Sequence, residues 1–234
     1  MALTEAGLVE SRSRAQVLIV AGRVRVDGET VRRPDARLRP EQKLEVSAGR
    51  RWVSRGGDKL DPALEHFGVE VEGRVCADIG ASTGGFTDVL LSRGASLVFA
   101  VDVGRGLIDW RLRSDPRVIL MEKTNARNLE RFDQPVSRLV VDVSFIGLEK
   151  ILPALCRAAP GAEMVCLFKP QFQVGRSDVG KGGVVREVAL TVAALGRLRE
   201  WCGPQGLEWL GQAPAAITGS DGNQEWFVHL RSQA

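Results

Sequence analysis

The sequence predicts an α/β architecture: a mostly parallel seven-stranded sheet with an antiparallel edge, preceded by a small α+β unit. Three observations carry this prediction. From Lys59 onward, apolar strand candidates alternate with amphipathic helix candidates, the pattern of a parallel sheet covered on both faces. The last two strand candidates are separated only by the turn-rich stretch 215–224, which leaves no room for a crossover helix, so they pair antiparallel. The first 47 residues follow a different rhythm and carry a different charge.

Residues 1–47 form the small unit. Ser11 is a helix-capping residue, and Ala15, Leu18 and Ile19 follow at helical spacing. Arg12, Arg14 and Gln16 fall elsewhere on that helix, and Gly22 stops it. Val24-Arg25-Val26, Asp27-Gly28 and Glu29-Thr30-Val31 read as strand, tight turn and strand. Pro34 and Pro40 punctuate the return, and Leu44-Glu45-Val46 is a last short strand.

Residues 48–58 read as a linker. Gly49, Gly56 and Gly57 permit a bend, and Arg50, Arg51 and Arg55 suit a phosphate backbone. Trp52 has two readings, docking on a domain or stacking on a base. The second unit, 59–234, opens with a helix over 60–67. Strands are expected over 75–81, 97–103, 118–121, 139–143, 164–168, 209–214 and 226–230, and helices near 85–91, 148–158 and 187–201.

Composition narrows the functional classes. A chain of 234 residues with 44% hydrophobic and 26% charged residues is an ordinary globular protein, not a disordered one. No apolar run approaches the roughly 20 residues a membrane helix needs. The amino terminus carries Glu5 early and lacks the basic-then-apolar pattern of a secretion signal, so the cytoplasm is the expected compartment. Cys76, Cys156, Cys166 and Cys202 lie far apart without a C-x-x-C pair, and three of them sit in apolar segments where a thiol behaves as a small hydrophobe, with no metal expected. Charge is uneven: residues 1–60 hold 13 Lys/Arg against 8 Asp/Glu, the remainder 19 against 21. A basic head on a near-neutral body suggests a polyanion-binding module, the plain alternative being a small domain that is merely basic.

The chemistry concentrates after the first long strand. Asp78-Ile79-Gly80-Ala81-Ser82-Thr83-Gly84-Gly85-Phe86-Thr87 follows a buried strand and opens a helix. Its glycines let the backbone turn sharply and approach a ligand, at a spacing that matches neither the dinucleotide fingerprint nor a Walker A loop. Asp102, which closes the second strand, is an acid able to accept both hydroxyls of a ribose. With Asp78 and the glycine loop it fits an S-adenosylmethionine site, and Asn125, after the third strand, lies where adenine would be held. Against a background of 26 arginines the chain keeps only six lysines. Lys169 ends an apolar strand, and an amine can lose its proton where a guanidinium cannot. Asp142 ends the preceding strand, Lys59 follows the Gly-Gly pair, and Glu225 begins the last strand. Taken singly, these four read equally well as two surface ion pairs.

Together, the stretches 10–16, 53–60, 78–87, 142–146, 169–172 and 222–226 resemble the TlyA family, which joins an S4-type RNA-binding domain to an FtsJ-like (RrmJ-like) ribose methyltransferase. The resemblance implies a Rossmann-like class I methyltransferase fold and S-adenosylmethionine as cofactor. It also implies a catalytic Lys-Asp-Lys-Glu tetrad, carried here by Lys59, Asp142, Lys169 and Glu225. The implied reaction is transfer of a methyl group to a ribose 2′-hydroxyl of ribosomal RNA, on a cytidine. Lys169 would be the base or oxygen-positioning group, Asp142 its orienter, and Lys59 with Glu225 would hold the ribose. Cofactor contacts fall to Asp78, Gly80, Ser82, Thr83, Gly84, Gly85, Phe86, Asp102 and Asn125. RNA contacts fall to Arg12, Arg14, Arg23, Arg50, Arg51 and Arg55, with Lys181 on the glycine-rich loop 174–183 as an addition. The expected partners are ribosomal RNA or ribosomal subunits, with no membrane. Three other classes compete: an RNA-binding ribosome-assembly factor with an inactive methyltransferase-like body, a membrane-lytic factor, since the family has carried a haemolysin label, and a small-molecule or base methyltransferase.

Overall fold

The computed structural model describes residues 2–20, 22–36, 38–39, 41–46 and 51–233. The chain divides into two compact units, one ending at Arg51 and the other beginning at Trp52. The expected turn residue Pro40 and the linker residues 48–50 lie outside the described residues.

The first unit contains α1 (Ala2–Glu5), α2 (Arg12–Val20), β1 (Val24–Val26), β2 (Glu29–Val31) and β3 (Leu44–Val46). Its three strands pair antiparallel in the order β2-β1-β3. Asp27 and Gly28 both take positive φ, +51° and +86°, as the two-residue hairpin turn requires. The Asp27 carboxylate also accepts from Lys43 N–H at 2.8 Å and Gln42 Nε2 at 2.9 Å, tying the turn to the chain entering β3. Leu3, Ala15, Leu18, Ile19 and Val24 form the core, and Ser11 Oγ accepts from Arg14 N–H at 3.2 Å. The sequence pattern missed α1, whose four residues are too few to show a period.

The second unit contains α3 (Arg55–Phe67), β4 (Val75–Ile79), α4 (Gly85–Ser92), β5 (Leu97–Val101), α5 (Trp110–Arg113), β6 (Val118–Met121) and β7 (Arg138–Val141). It continues through α6 (Leu152–Ala158), β8 (Glu163–Phe168), α7 (Val188–Cys202), β9 (Leu207–Pro214) and β10 (Trp226–Ser232). The seven strands run in the order β6-β5-β4-β7-β8-β10-β9. All pairings are parallel except those of β10, which is antiparallel to both β8 and β9. The antiparallel edge therefore comes from a reversed strand wedged beside the rim, with β9 outermost.

Alternation along the strands feeds two cores. Ala77, Ile79, Phe99 and Val101 join Leu152, Leu155, Leu195 and Leu198 of α6 and α7 on one face. Cys76, Val98 and Ala100 join Leu60 and Leu64 of α3 and Phe86, Val89 and Leu90 of α4 on the other. All four cysteines are free thiols, and burial pushes Cys76 up to about 12.

Two expectations need correction. Residues 55–58, assigned to the linker, form the first turn of α3, which begins five residues before the expected start. Gly57 permits the early start, because a Cβ there would lie 2.2 Å from Trp52 Cγ. Trp52 is thus docked in the second unit, 5% exposed. The helix expected over 148–158 divides into a 3-10 turn at Leu148–Lys150 and α6, with Pro153 in the first turn of α6.

Candidate active site

The chain leaves β4 toward β5 and β6, then returns to the opposite flank of β4 as β7. At such a reversal the carboxyl ends of neighbouring strands part and leave a crevice for ligands. The residues expected to finish these strands, 80–81, 102–103 and 142–143, leave the ladder and turn into that crevice. The crevice is a cavity of about 300 Å³ whose lining includes Gly80, Ser82, Asp102, Asn125, Asp142, Ser144 and Phe145.

The glycine loop is held in place from several sides. Gly80 has φ +86°, and a Cβ on it would lie 2.2 Å from the Asp142 carbonyl oxygen. Ser82, a non-glycine at φ +49°, donates its N–H to Asp102 Oδ2 at 2.8 Å. Asp102 Oδ1 accepts from Gly104 N–H at 2.7 Å. Each carboxylate oxygen retains a second lone pair, so the pair can still accept from a diol. Asn125 Oδ1 accepts from Arg127 N–H at 3.1 Å, which fixes the start of the following turn.

Asp78 is wholly buried. Its Oδ2 accepts from Thr87 N–H at 2.8 Å and from Thr87 Oγ1 at 2.7 Å, while Oδ1 has no partner among the described residues. Burial pushes this carboxyl up to about 7, with Thr87 opposing the shift and the nearby Asp142 and Asp102 reinforcing it. Thr83, Gly84, Gly85 and Phe86 do not line the cavity. Gly84 and Gly85 instead allow close packing: a Cβ at Gly84 would meet Leu112 at 2.3 Å, and one at Gly85 would meet Ser54 Oγ at 2.2 Å. The glycine turn, the partly satisfied Asp102 and Asn125, which all line the cavity, fit the nucleoside part of a cofactor, while the buried Asp78 braces the loop through Thr87.

Beyond the cavity stand two lysine–carboxylate pairs. Lys169 Nζ lies 2.5 Å from Asp142 Oδ1 and donates to Ser144 Oγ at 2.9 Å. Lys59 Nζ lies 2.5 Å from Glu225 Oε2, with both residues buried. Strand register explains why residues so distant in sequence meet. Trp226 of β10 is paired with Phe168 of β8, which brings Glu225 and Lys169 to the same end of that ladder. Asp142 follows the end of β7, the parallel neighbour of β8. Lys59 reaches Glu225 from α3.

The remaining sequence-selected residues are dispersed. Arg12 and Arg14 are exposed on α2, and Arg23 is half-buried before β1. Arg51 and Arg55 are exposed, and an Arg55 guanidinium N–H donates to Thr218 O at 2.9 Å. Arg50 lies outside the described residues. Lys181 is exposed on a turn closed by Gly180 N–H donating to Val184 O at 3.0 Å. Sequence reasoning passed over Ser144, although its position two residues after Asp142 was a usable signal. It also passed over Phe145, 91% exposed at φ +66°, a conformation no local pattern announces.

This arrangement defines a class, an open α/β body with a nucleoside-sized crevice and paired lysines beside it, joined to a small basic domain. An FtsJ-like methyltransferase model matches residues 52–232, and an S4 domain model matches residues 1–44. The 16S/23S rRNA (cytidine-2′-O)-methyltransferase TlyA of Mycobacterium tuberculosis is 45% identical, covering 99% of this chain and 88% of its own length. Hemolysin A of Brachyspira hyodysenteriae is 40% identical over 96% and 95%. The solved structure of a putative hemolysin from Streptococcus thermophilus matches with a TM-score of 0.78 at 40% identity, covering 97% of this chain and 84% of that one. The chain belongs to the TlyA family of FtsJ-like methyltransferases. No helix among the described residues is long and apolar enough to cross a membrane.

Proposed function

We propose that this protein transfers a methyl group from S-adenosylmethionine to the 2′-hydroxyl of a cytidine in ribosomal RNA, acting where ribosomes are found, in the cytoplasm. The observation that carries this reading is the placement of Asp142, Lys169 and Glu225 at adjoining strand ends beside the crevice, with Lys59 reaching Glu225 from α3. The relative named for 16S/23S rRNA cytidine methylation supports the substrate class.

Gly80, Ser82, Asp102 and Asn125 would hold the nucleoside part of the cofactor, with Asp78 behind them. When bound, that cofactor supplies a methyl group already activated on a sulfonium. The protein's share is alignment and handling of one proton. Asp142 and Ser144 fix the direction of Lys169 Nζ, which meets the ribose oxygen either as a donor that positions it or as the acceptor of its proton. Lys59 and Glu225 form the second wall and hold the neighbouring sugar hydroxyl. Arg12, Arg14, Arg23, Arg50, Arg51, Arg55 and Lys181 supply phosphate contacts, which position RNA without reading its sequence.

The test is incubation with labelled S-adenosylmethionine and unmodified ribosomal subunits, followed by alkaline hydrolysis of the RNA. A 2′-O-methyl group blocks the adjacent cleavage, so label is expected in an alkali-resistant dinucleotide. Label in mononucleotides would mean base methylation. Absence of label, with cofactor binding shown separately, would mean an RNA-binding assembly factor.

A further inference from the structure

Asn223 is 1% exposed, lies two residues before Glu225 and takes no part in the reaction as described above. Its amide group is fully used. Nδ2 donates to Gly183 O at 2.8 Å, and Oδ1 accepts from Val185 N–H at 2.8 Å. Its own carbonyl accepts from Gly219 N–H at 2.9 Å. Two tight turns are joined through this one side chain. The first is closed by Gly180 N–H donating to Val184 O at 3.0 Å and Gly183 N–H donating to Gly180 O at 3.1 Å. The second is closed by Gly222 N–H donating to Gly219 O at 3.1 Å, and it lies directly against the Glu225 carboxylate, since a Cβ at Gly219 would be 2.7 Å from Glu225 Oε1.

We propose that Asn223 is a positioning residue that clamps the 180–185 turn to the 219–225 turn and thereby sets the Glu225 carboxylate, and with it Lys59, on the substrate side of the site. The physical reason is the shortage of alternatives. The 180–185 turn carries Gly180, Gly182 and Gly183, the last two at φ +81° and +79°, and glycine-rich backbone has many conformations to lose. A buried primary amide that pairs simultaneously with one carbonyl and one N–H selects one of them, because releasing either partner leaves a buried polar group unpaired. Only a side chain with a donor and an acceptor on the same carbon performs both tasks. The exposed Lys181 lies within this segment and the exposed Arg186 follows it, so the clamp also sets where two cations stand.

This inference rests on the methyltransferase reading, and its test separates the two. Full-length Asn223→Ala and Asn223→Asp are compared with wild type by steady-state methylation of unmodified ribosomal subunits, by S-adenosylmethionine titration and by amide hydrogen exchange. In Asn223→Ala, kcat is expected to fall about 10²-fold, the usual cost of a small misplacement in an active site. Cofactor affinity and the KM for subunits stay as in wild type, and exchange accelerates at 183–186 and 219–225 but not in β4 or β5. Asn223→Asp keeps the acceptor for Val185 but turns a carboxyl oxygen toward the Gly183 carbonyl, so it too releases that turn, with kcat and protection at 183–186 reduced as in Asn223→Ala. Wild-type kcat, or a reduced kcat with both turns still protected, would overturn the clamp. Loss confined to the KM for subunits would overturn the positioning of Glu225. If Asn223→Ala loses cofactor binding and exchanges fast throughout the sheet, Asn223→Asp is judged by the same criteria. Wild-type protein that methylates nothing sinks the methyltransferase reading, and the exchange data alone then decide whether the clamp exists.

Discussion

Gly80 and Asp142 touch backbone to backbone: a Cβ on Gly80 would lie 2.2 Å from the Asp142 carbonyl oxygen, and Asp142 N–H donates to Ile79 O at 2.8 Å. The turn that shapes the crevice and the residue paired with Lys169 are therefore one packed unit. Gly80→Ala has to leave φ +86° or push Asp142 away, at a cost of about 1–3 kcal/mol for the backbone alone. The expected outcome is a lower unfolding midpoint together with weakened cofactor binding and a loss of kcat. A variant that retains full cofactor affinity would show that the turn and Asp142 move independently.

Lys59 and Glu225 are only 10% and 3% exposed at their side chains, so neither charge has water to fall back on. Removing one partner strands the other, and Glu225→Ala is expected to cost about 3–5 kcal/mol in denaturant unfolding. The double variant Lys59→Met/Glu225→Leu is expected to recover most of that stability while remaining unable to methylate. Full recovery of activity in the double variant would mean that the pair is structural.

Strand interiors were legible in the sequence because β4, β5, β7 and β8 are short apolar runs bounded by turn residues, as buried parallel strands must be. Their ends were not. Val103 and Val143 look like further strand residues, yet they turn out of the ladder to line the crevice, and apolar lining cannot be told from apolar core by composition. The glycine loop with Asp78 and Asp102 could be found locally, since all three belong to one βαβ unit. Lys59 and Glu225 lie 166 residues apart and could be paired only through resemblance, because their meeting depends on β10 reversing beside β8. Ser144 and Asn223 fall within the matched stretches 142–146 and 222–226 but carry no role there, because holding other polar groups shows only once the partners are in place.

Arg12 and Arg14 stand exposed at the start of α2, where neither packs into the core of the first unit. If they contact phosphate, Arg12→Ala and Arg14→Ala should weaken binding to ribosomal RNA to a similar degree across different sequences. Each should also reduce the slope of log affinity against log salt by about 1. The measurement is a salt titration of RNA binding for each variant. An unchanged slope would remove that arginine from the interface.

The buried carboxyl of Asp78 makes a pH prediction whose sign can be worked through. Its ordinary value of 3.8 is pushed up to about 7 in the folded protein, chiefly by burial. The folded state therefore holds this proton more tightly than the unfolded chain. The resulting stabilisation is complete below about 3.8 and is lost as pH rises through 7, at most about 4 kcal/mol for this one group. Asp78→Asn keeps an oxygen to accept from Thr87 N–H and Oγ1 but carries no charge at any pH. Its unfolding midpoint should therefore decline less than that of wild type between pH 4 and pH 8, and the gap between them should widen with rising pH in the variant's favour. Parallel curves would mean that the carboxyl is already ionised throughout this range.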